Sequence, residues 1–236
     1  MEPVVYTKIP RIDAGLIARA AKLNVADLHE GMGAVPGRLG LMQPQMKPLF
    51  QRARVCGQAI TSYNYPGDNL LLHAAIQVAQ PGDVIVVSNG GSRMGALWGD
   101  VVTHYCQIRG IAGAVIDGPA RDSLQISELG FPVFASVISV SHPEKRGPGS
   151  VNVPVSVAGV TVNPGDLILG DADGVLVVPP ELVEQSVERA EARIAKEADQ
   201  RSKMDAGAIM ADLIGLDTML KAAGIAEVDG CWCDGK

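Results

Sequence analysis

The sequence predicts an α/β domain built on a mixed sheet, followed by a helical C-terminal arm. Three observations carry that expectation. Between residues 84 and 136, short apolar runs alternate with amphipathic stretches, the pattern of parallel strands joined by right-handed helical crossovers. Between residues 153 and 178, four short apolar runs follow one another with only turn residues between them, the pattern of hairpins. From residue 181 the chain becomes polar, with Leu182, Val183, Val187, Ala190 and Ile194 on one helical face.

The elements follow in order. Asp13 is placed to cap a helix reaching about Lys22, and residues 25–30 read as a further turn. Residues 55–63 alternate like a strand. Asp68 caps a helix over 69–79, with Leu70, His73, Ala74 and Gln77 at helical spacing. A strand over 84–88 ends at Asn89-Gly90-Gly91, and a helix starts near Gly99-Asp100 and stops before Gly110. A strand over 112–116 ends at Asp117-Gly118, a short helix runs from near Asp122 to Gly130, and a strand covers 132–136. Runs 153–157 and 160–162 form a hairpin about Ala158-Gly159. Runs at 167–169 and 174–178 flank Asp171-Ala172-Asp173, and Pro179-Pro180 ends the last of them. A long helix from 181 to about 204 and a last one near 209–220 complete the chain. Three Pro-Gly-Asp tripeptides, at 66–68, 81–83 and 164–166, suit type II turns, and the last two feed apolar strands. Residues 1–180 are thus expected to form the α/β catalytic domain. Residues 181–236 form an arm and tail, too polar for a core and long enough to contact a second copy of the chain.

Composition narrows the function. With 47% hydrophobic and 19% charged residues in 236, the chain has the material for a core and is not disordered. Lys+Arg 20 against Asp+Glu 26 gives 20 − 26 = −6, with no basic run, and aromatics are 4%. Neither nucleic acid nor an anionic membrane surface is an expected partner. Cys56, Cys106, Cys231 and Cys233 contain no Cys-x-x-Cys, and Cys231-Trp232-Cys233 has no second pair to complete a zinc site. No leader peptide or membrane-spanning apolar run is visible, so a reduced, cytoplasmic protein is expected.

Two strand-to-helix junctions carry the chemistry. Gly95-Ala96-Leu97-Trp98-Gly99-Asp100-Val101-Val102 opens a helix, where first-turn N–H groups can receive a carboxylate or phosphate. Asp117-Gly118-Pro119-Ala120-Arg121-Asp122 lies at the end of a parallel strand, the edge where open α/β sheets bind ligands. A guanidinium there suits an anion and a carboxylate suits a hard cation. Taken singly, each has a plain structural reading: Asp100 complementing a helix dipole, and Arg121-Asp122 as a surface ion pair with Asp122 as N-cap. Asp171-Ala172-Asp173-Gly174 starts like a calcium loop but has Leu182 at the twelfth position, so it reads as a tight turn. His73 reads as a core histidine whose hydrogen bonds are met. Lys145 sits in a solvated loop from which it could reach an anion. No zinc-protease, serine-hydrolase or phosphate-loop motif is present.

Together, the junctions form Gly-x-x-x-Gly-Asp-x20-Arg-Asp, from Gly95 to Asp122. This resembles the class II pyruvate aldolases that cleave 4-hydroxy-4-methyl-2-oxoglutarate and 4-carboxy-4-hydroxy-2-oxoadipate. They share a superfamily with the regulator of ribonuclease E activity. The resemblance runs from about Ala26 to about Ala195 and includes the Pro-Gly-Asp turns and Gly170-Asp171-Ala172-Asp173-Gly174-Val175. It implies a swivelling β/β/α fold assembled as trimers or hexamers. It implies Mg²⁺ or Mn²⁺ at Asp122, Arg121 on the oxygen of a pyruvate moiety, and the carboxylate of that moiety on the backbone of Gly99, Asp100, Val101 and Val102. Asp100 would orient a metal-bound water. Glu197 would reach an adjacent subunit's metal site, and Lys145 would meet the distal carboxylate. The regulator branch generally lacks the acidic residue after the arginine; Asp122 is present.

The expected reaction is a metal-dependent retro-aldol cleavage to pyruvate plus oxaloacetate, or to two pyruvates, with oxaloacetate decarboxylation as a side activity. A cation and an arginine can stabilise the enolate that cleavage produces. The alternatives are a non-catalytic ribonuclease-binding regulator, a Schiff-base aldolase and a methyltransferase. None of the lysines sits within an apolar strand, as a Schiff-base enzyme would need, and no cofactor fingerprint supports the methyltransferase.

Overall fold

Asp13 caps the first helix as its position predicts. Its Oδ1 accepts the Leu16 N–H at 3.0 Å, starting α1 (Ala14–Ala20). Residues 25–30 form more than a turn: α2 spans Val25–Met32 and is followed by α3 (Ala34–Gly40). Asp171 explains α2, since its Oδ2 accepts the Val25 N–H at 2.8 Å from 146 residues away. The computed structural model describes residues 2–233.

The sheet is mixed. β1 (Lys47–Pro48) and β2 (Val55–Asn64) precede α4 (Leu70–Val78). Then come β3 (Val84–Ser88), α5 (Asp100–Ile108), β4 (Gly113–Ala120), α6 (Ser123–Leu129) and β5 (Val133–Ile138). β2, β3, β4 and β5 pair in parallel, with a helix in each crossover. β6 (Gly149–Val151), β9 (Leu167–Gly170) and β10 (Val175–Val178) extend the sheet by antiparallel pairing. β7 (Val155–Val157) and β8 (Val160–Val162) form a separate hairpin. The strand expected over 112–116 runs on to Ala120, because a register shift between Ile116 and Pro119 lets it resume pairing with β5. Asp117-Gly118 is therefore strand, not turn.

Period-two alternation divides the core into two faces. Ile60, Ile85, Val87, Ala114 and Ile116 pack toward Leu72, Ile76, Cys106 and Ile126 of the helices. Their neighbours Ala59, Val84, Val86 and Val115 pack toward Val155, Val157, Val160 and Val162 of the hairpin. Truncating one of the larger of these, such as Ile60 or Ile85, to Ala costs about 2–5 kcal/mol.

The chain divides into two compact units, one running to Glu191 and one starting at Ala192. The long helix α7 spans Pro180–Asp205, and its buried residues Val183, Val187 and Ala190 belong to the first unit. In the second unit the final helix is broken. α8 (Met210–Ile214) and α9 (Leu216–Ala222) meet at Gly215, which adopts φ +69°. Among the described residues no helix is long and apolar enough to cross a membrane.

Candidate active site

Trp98 sets the geometry. It is fully buried, stacks on Phe131 with centroids 6.2 Å apart, and donates from Nε1 to Thr103 Oγ1 at 2.7 Å. Thr103 Oγ1 donates in turn to Gly99 O at 2.9 Å. The start of α5 is thereby locked to the core. Trp98 O accepts the Arg121 N–H at 2.9 Å, which brings the end of β4 beside it. The two junctions, remote in sequence, meet here.

Asp122 follows in the left-handed region, at φ 58° and ψ 36°. A non-glycine residue seldom adopts that conformation, and here it serves the site. The carboxylate does not cap α6, as its N-cap position would suggest. Its Oδ2 turns to accept the Asp100 N–H at 3.2 Å and lies 3.4 Å from Arg121 Nε. The approach requires a glycine: a Cβ on Gly99 would stand 2.6 Å from Asp122 Oδ2. Asp100 Oδ1 accepts the Val101 N–H at 2.8 Å. The first turn of α5 thus already holds two carboxylate oxygens, the chemistry it would offer a carboxylate ligand.

Gly99, Asp100, Val101, Val102, Arg121 and Lys145 line one pocket of about 160 Å³, so the predicted binding residues are brought together. Asp122 stands at its edge through Arg121 and Gly99. Glu197 belongs to the second unit, where it pairs along its own helix with Arg193 (2.6 Å) and Arg201 (2.7 Å).

Asn69, His73 and His142 also line the pocket and were not expected there. His73 is not a satisfied core histidine. Its Nε2 is buried without a hydrogen-bond partner, and so is Asn69 Oδ1. Burial lowers the His73 pKa, and the ammonium of Lys145, which lines the same pocket, lowers it further. The available signal was the spacing: Asn69 and His73 are four apart on an otherwise apolar helix, hence on one face.

Among the described residues, no three His, Cys, Asp or Glu side chains converge into a metal cage. The donor set is instead hard oxygen from Asp122, with Asp100 beside it. That fits Mg²⁺ or Mn²⁺, which bind through one or two carboxylates and retain waters, and does not fit zinc.

Known proteins share this family and fold. The family model described as RraA-like, Aldolase/RraA, matches residues 25–177. A protein of Halalkalibacterium halodurans named "Putative 4-hydroxy-4-methyl-2-oxoglutarate aldolase" is 40% identical over 158 residues, covering 67% of this chain and 74% of the relative. An uncharacterized protein from Pseudomonas syringae pv. tomato superposes with TM-score 0.76 at 28% identity, over 86% of this chain and 98% of that one. Streptomyces coelicolor RraAS2, described as an unusual member of the RNase ES inhibitor RraA protein family, gives TM-score 0.75 at 29% identity, over 82% and 99%.

Proposed function

The chain belongs to the Aldolase/RraA family, and from that premise we propose that it is a divalent-metal-dependent pyruvate aldolase. Its substrates are 4-carboxy-4-hydroxy-2-oxoadipate and 4-hydroxy-4-methyl-2-oxoglutarate, and it decarboxylates oxaloacetate as a side activity. One observation carries this reading: Arg121 and the amide-lined start of α5, with the Asp122 carboxylate against both, share one pocket with Lys145. A 2-oxo acid with a distal carboxylate has complementary charges at both ends.

In retro-aldol cleavage the hydroxyl on the fourth carbon loses its proton, the bond between the third and fourth carbons breaks, and the electron pair moves onto the 2-oxo group as an enolate. The start of α5 binds the pyruvate carboxylate. The Arg121 guanidinium donates to the 2-oxo oxygen and stabilises it as charge develops, an electrostatic effect of about 3–4 kcal/mol for a well-placed donor. The Asp100 carboxylate orients the water that takes up the hydroxyl proton and returns a proton to the enolate carbon, which completes pyruvate. Mg²⁺ or Mn²⁺ held by Asp122 would supply Lewis-acid stabilisation of the same developing charge. Lys145 receives the distal carboxylate. The enzyme works in the cytoplasm as a trimer or hexamer, with Glu197 supplied to a neighbouring copy's metal site.

The test is pyruvate release from 4-carboxy-4-hydroxy-2-oxoadipate, first with EDTA and then with Mg²⁺ restored. Release is expected to stop and return. No release with any divalent metal removes the reading. The likeness to Streptomyces coelicolor RraAS2 favours a second reading, a metal-independent ribonuclease regulator. Affinity for such a nuclease that survives EDTA, in a chain that releases no pyruvate, would establish it.

A further inference from the structure

Residues 141–147 cross the pocket as a strap, and both ends of the strap are tied. At one end, Ala96 N–H donates to Ser141 O at 2.8 Å and Gly95 N–H to Ser141 Oγ at 2.7 Å. At the other, Asn69 N–H donates to Glu144 O at 3.0 Å and Glu144 N–H to Gly67 O at 2.9 Å. Asp68 completes that end. Its Oδ2 accepts the Gly147 N–H at 2.8 Å and, more closely still, the Arg146 N–H. Its Oδ1 accepts the Leu70 N–H at 2.8 Å, at the start of α4.

A single carboxylate therefore joins the helix that carries Asn69 and His73 to the strap that carries His142 and Lys145. The side chain is almost wholly enclosed, at 2% exposure. Burial alone would raise its pKa, but the three N–H donors outweigh burial and hold it below the usual carboxylate value. It is an anion at neutral pH. The strap comes close at a glycine: a Cβ on Gly147 would stand 3.1 Å from Asp68 Oδ1. A plain turn needs only its glycine, so Asp68 does more than shape the Pro66-Gly67-Asp68 turn.

We propose that Asp68 is a positioning residue that fixes where Lys145 stands, and through it sets this pocket's preference for 2-oxo acids bearing a second, distal carboxylate. The inference rests on reading the pocket as a 2-oxo acid site. An amide in its place would accept on one side only, so either the strap amides or the Leu70 amide would face an NH₂ group.

The experiment measures binding of pyruvate and of 2-oxoadipate by calorimetry in Mg²⁺. 2-Oxoadipate lacks the hydroxyl needed for cleavage, so turnover plays no part. Wild type is expected to bind 2-oxoadipate more tightly than pyruvate. Asp68→Asn should weaken 2-oxoadipate about tenfold, the scale of one charge-assisted contact, and leave pyruvate within about twofold. In a Lys145→Ala background, Asp68→Asn should add nothing. If Asp68→Asn does not fold, Ser141→Ala removes the Gly95 N–H bond, one of the two at the opposite end, and must show a smaller loss with the same selectivity. Equal weakening of both ligands, or additivity with Lys145→Ala, overturns the proposal. Pyruvate binding without preference for 2-oxoadipate in wild type overturns it while the 2-oxo acid reading stands. Failure of both ligands to bind wild type overturns both.

Discussion

At the amino ends of β2 and β3, buried polar groups bond wholly within the protein. Asp83 accepts two guanidinium N–H groups of Arg11 and the Gln80 N–H at 2.8 Å. Gln58 accepts from Ile12 N–H at 3.0 Å and donates to Pro10 O (3.0 Å) and Gly165 O (2.8 Å). In the pocket, by contrast, Asn69 Oδ1 and His73 Nε2 are buried with no partner. Arg121 and Asp122 are joined loosely at 3.4 Å and remain partly exposed. An unsatisfied buried polar atom costs about 1–3 kcal/mol; His29 Nε2, Asn89 Oδ1 and Asn152 Oδ1 are also buried without a partner, but of these groups only Asn69 and His73 stand in a pocket where a ligand could complete them. The amino ends hold the fold together, and the pocket holds groups in reserve for something that binds.

Substitutions at the two regions should therefore separate activity from stability. The largest effect is expected at Arg121→Ala, which should lower kcat for pyruvate release by about a hundredfold or more while leaving the thermal midpoint nearly unchanged. A loss of both together would erase the distinction. Gly99→Ala comes next. The new Cβ displaces the Asp122 carboxylate, and kcat/KM should fall by about tenfold or more, since a misplacement of 1 Å is costly at a reacting centre. Normal turnover in that variant would show that the Asp122 position is unimportant. Asp83→Ala should do the reverse. It leaves Arg11 and the Gln80 amide without their acceptor, so urea denaturation should report a loss of about 2 kcal/mol with unchanged kcat.

The smallest effect concerns Asp166, which caps the turn before β9 and is buried. Burial pushes its pKa up from 3.8 to about 6, against the Asn163 N–H that it accepts at 2.7 Å. The native state holds this proton more tightly than the unfolded chain. This group's contribution to stability is therefore greatest below about pH 4 and is lost as pH rises to about 6. Asp166→Asn should remove that slope from thermal midpoints measured between these values. A slope unchanged in the variant would assign it to other groups.

Much of this contrast was legible in the sequence, for physical reasons. Apolar runs such as residues 84–88 state their burial locally, and Gly-Asp and Arg-Asp at strand ends mark a helix start and a charged junction. What was missed depends on remote partners. α2 is capped from Asp171, β4 continues past Asp117-Gly118 because β5 resumes pairing, and β6 is strand because it lies against β2. Asn69 and His73 looked like a helix start and a core residue, because the strap that turns their surroundings into a pocket arrives some seventy residues later, at His142 and Lys145.

Asp122 tests the central claim most directly. Asp122→Ala should be assayed for Mg²⁺-dependent pyruvate release from 4-carboxy-4-hydroxy-2-oxoadipate and, in the same sample, for its thermal midpoint. Release near background is expected in a chain whose thermal midpoint falls only modestly, since the side chain does not cap α6 and its one backbone bond is to the Asp100 N–H at 3.2 Å. Wild-type release in that variant, or an equal collapse of activity and stability, would contradict it.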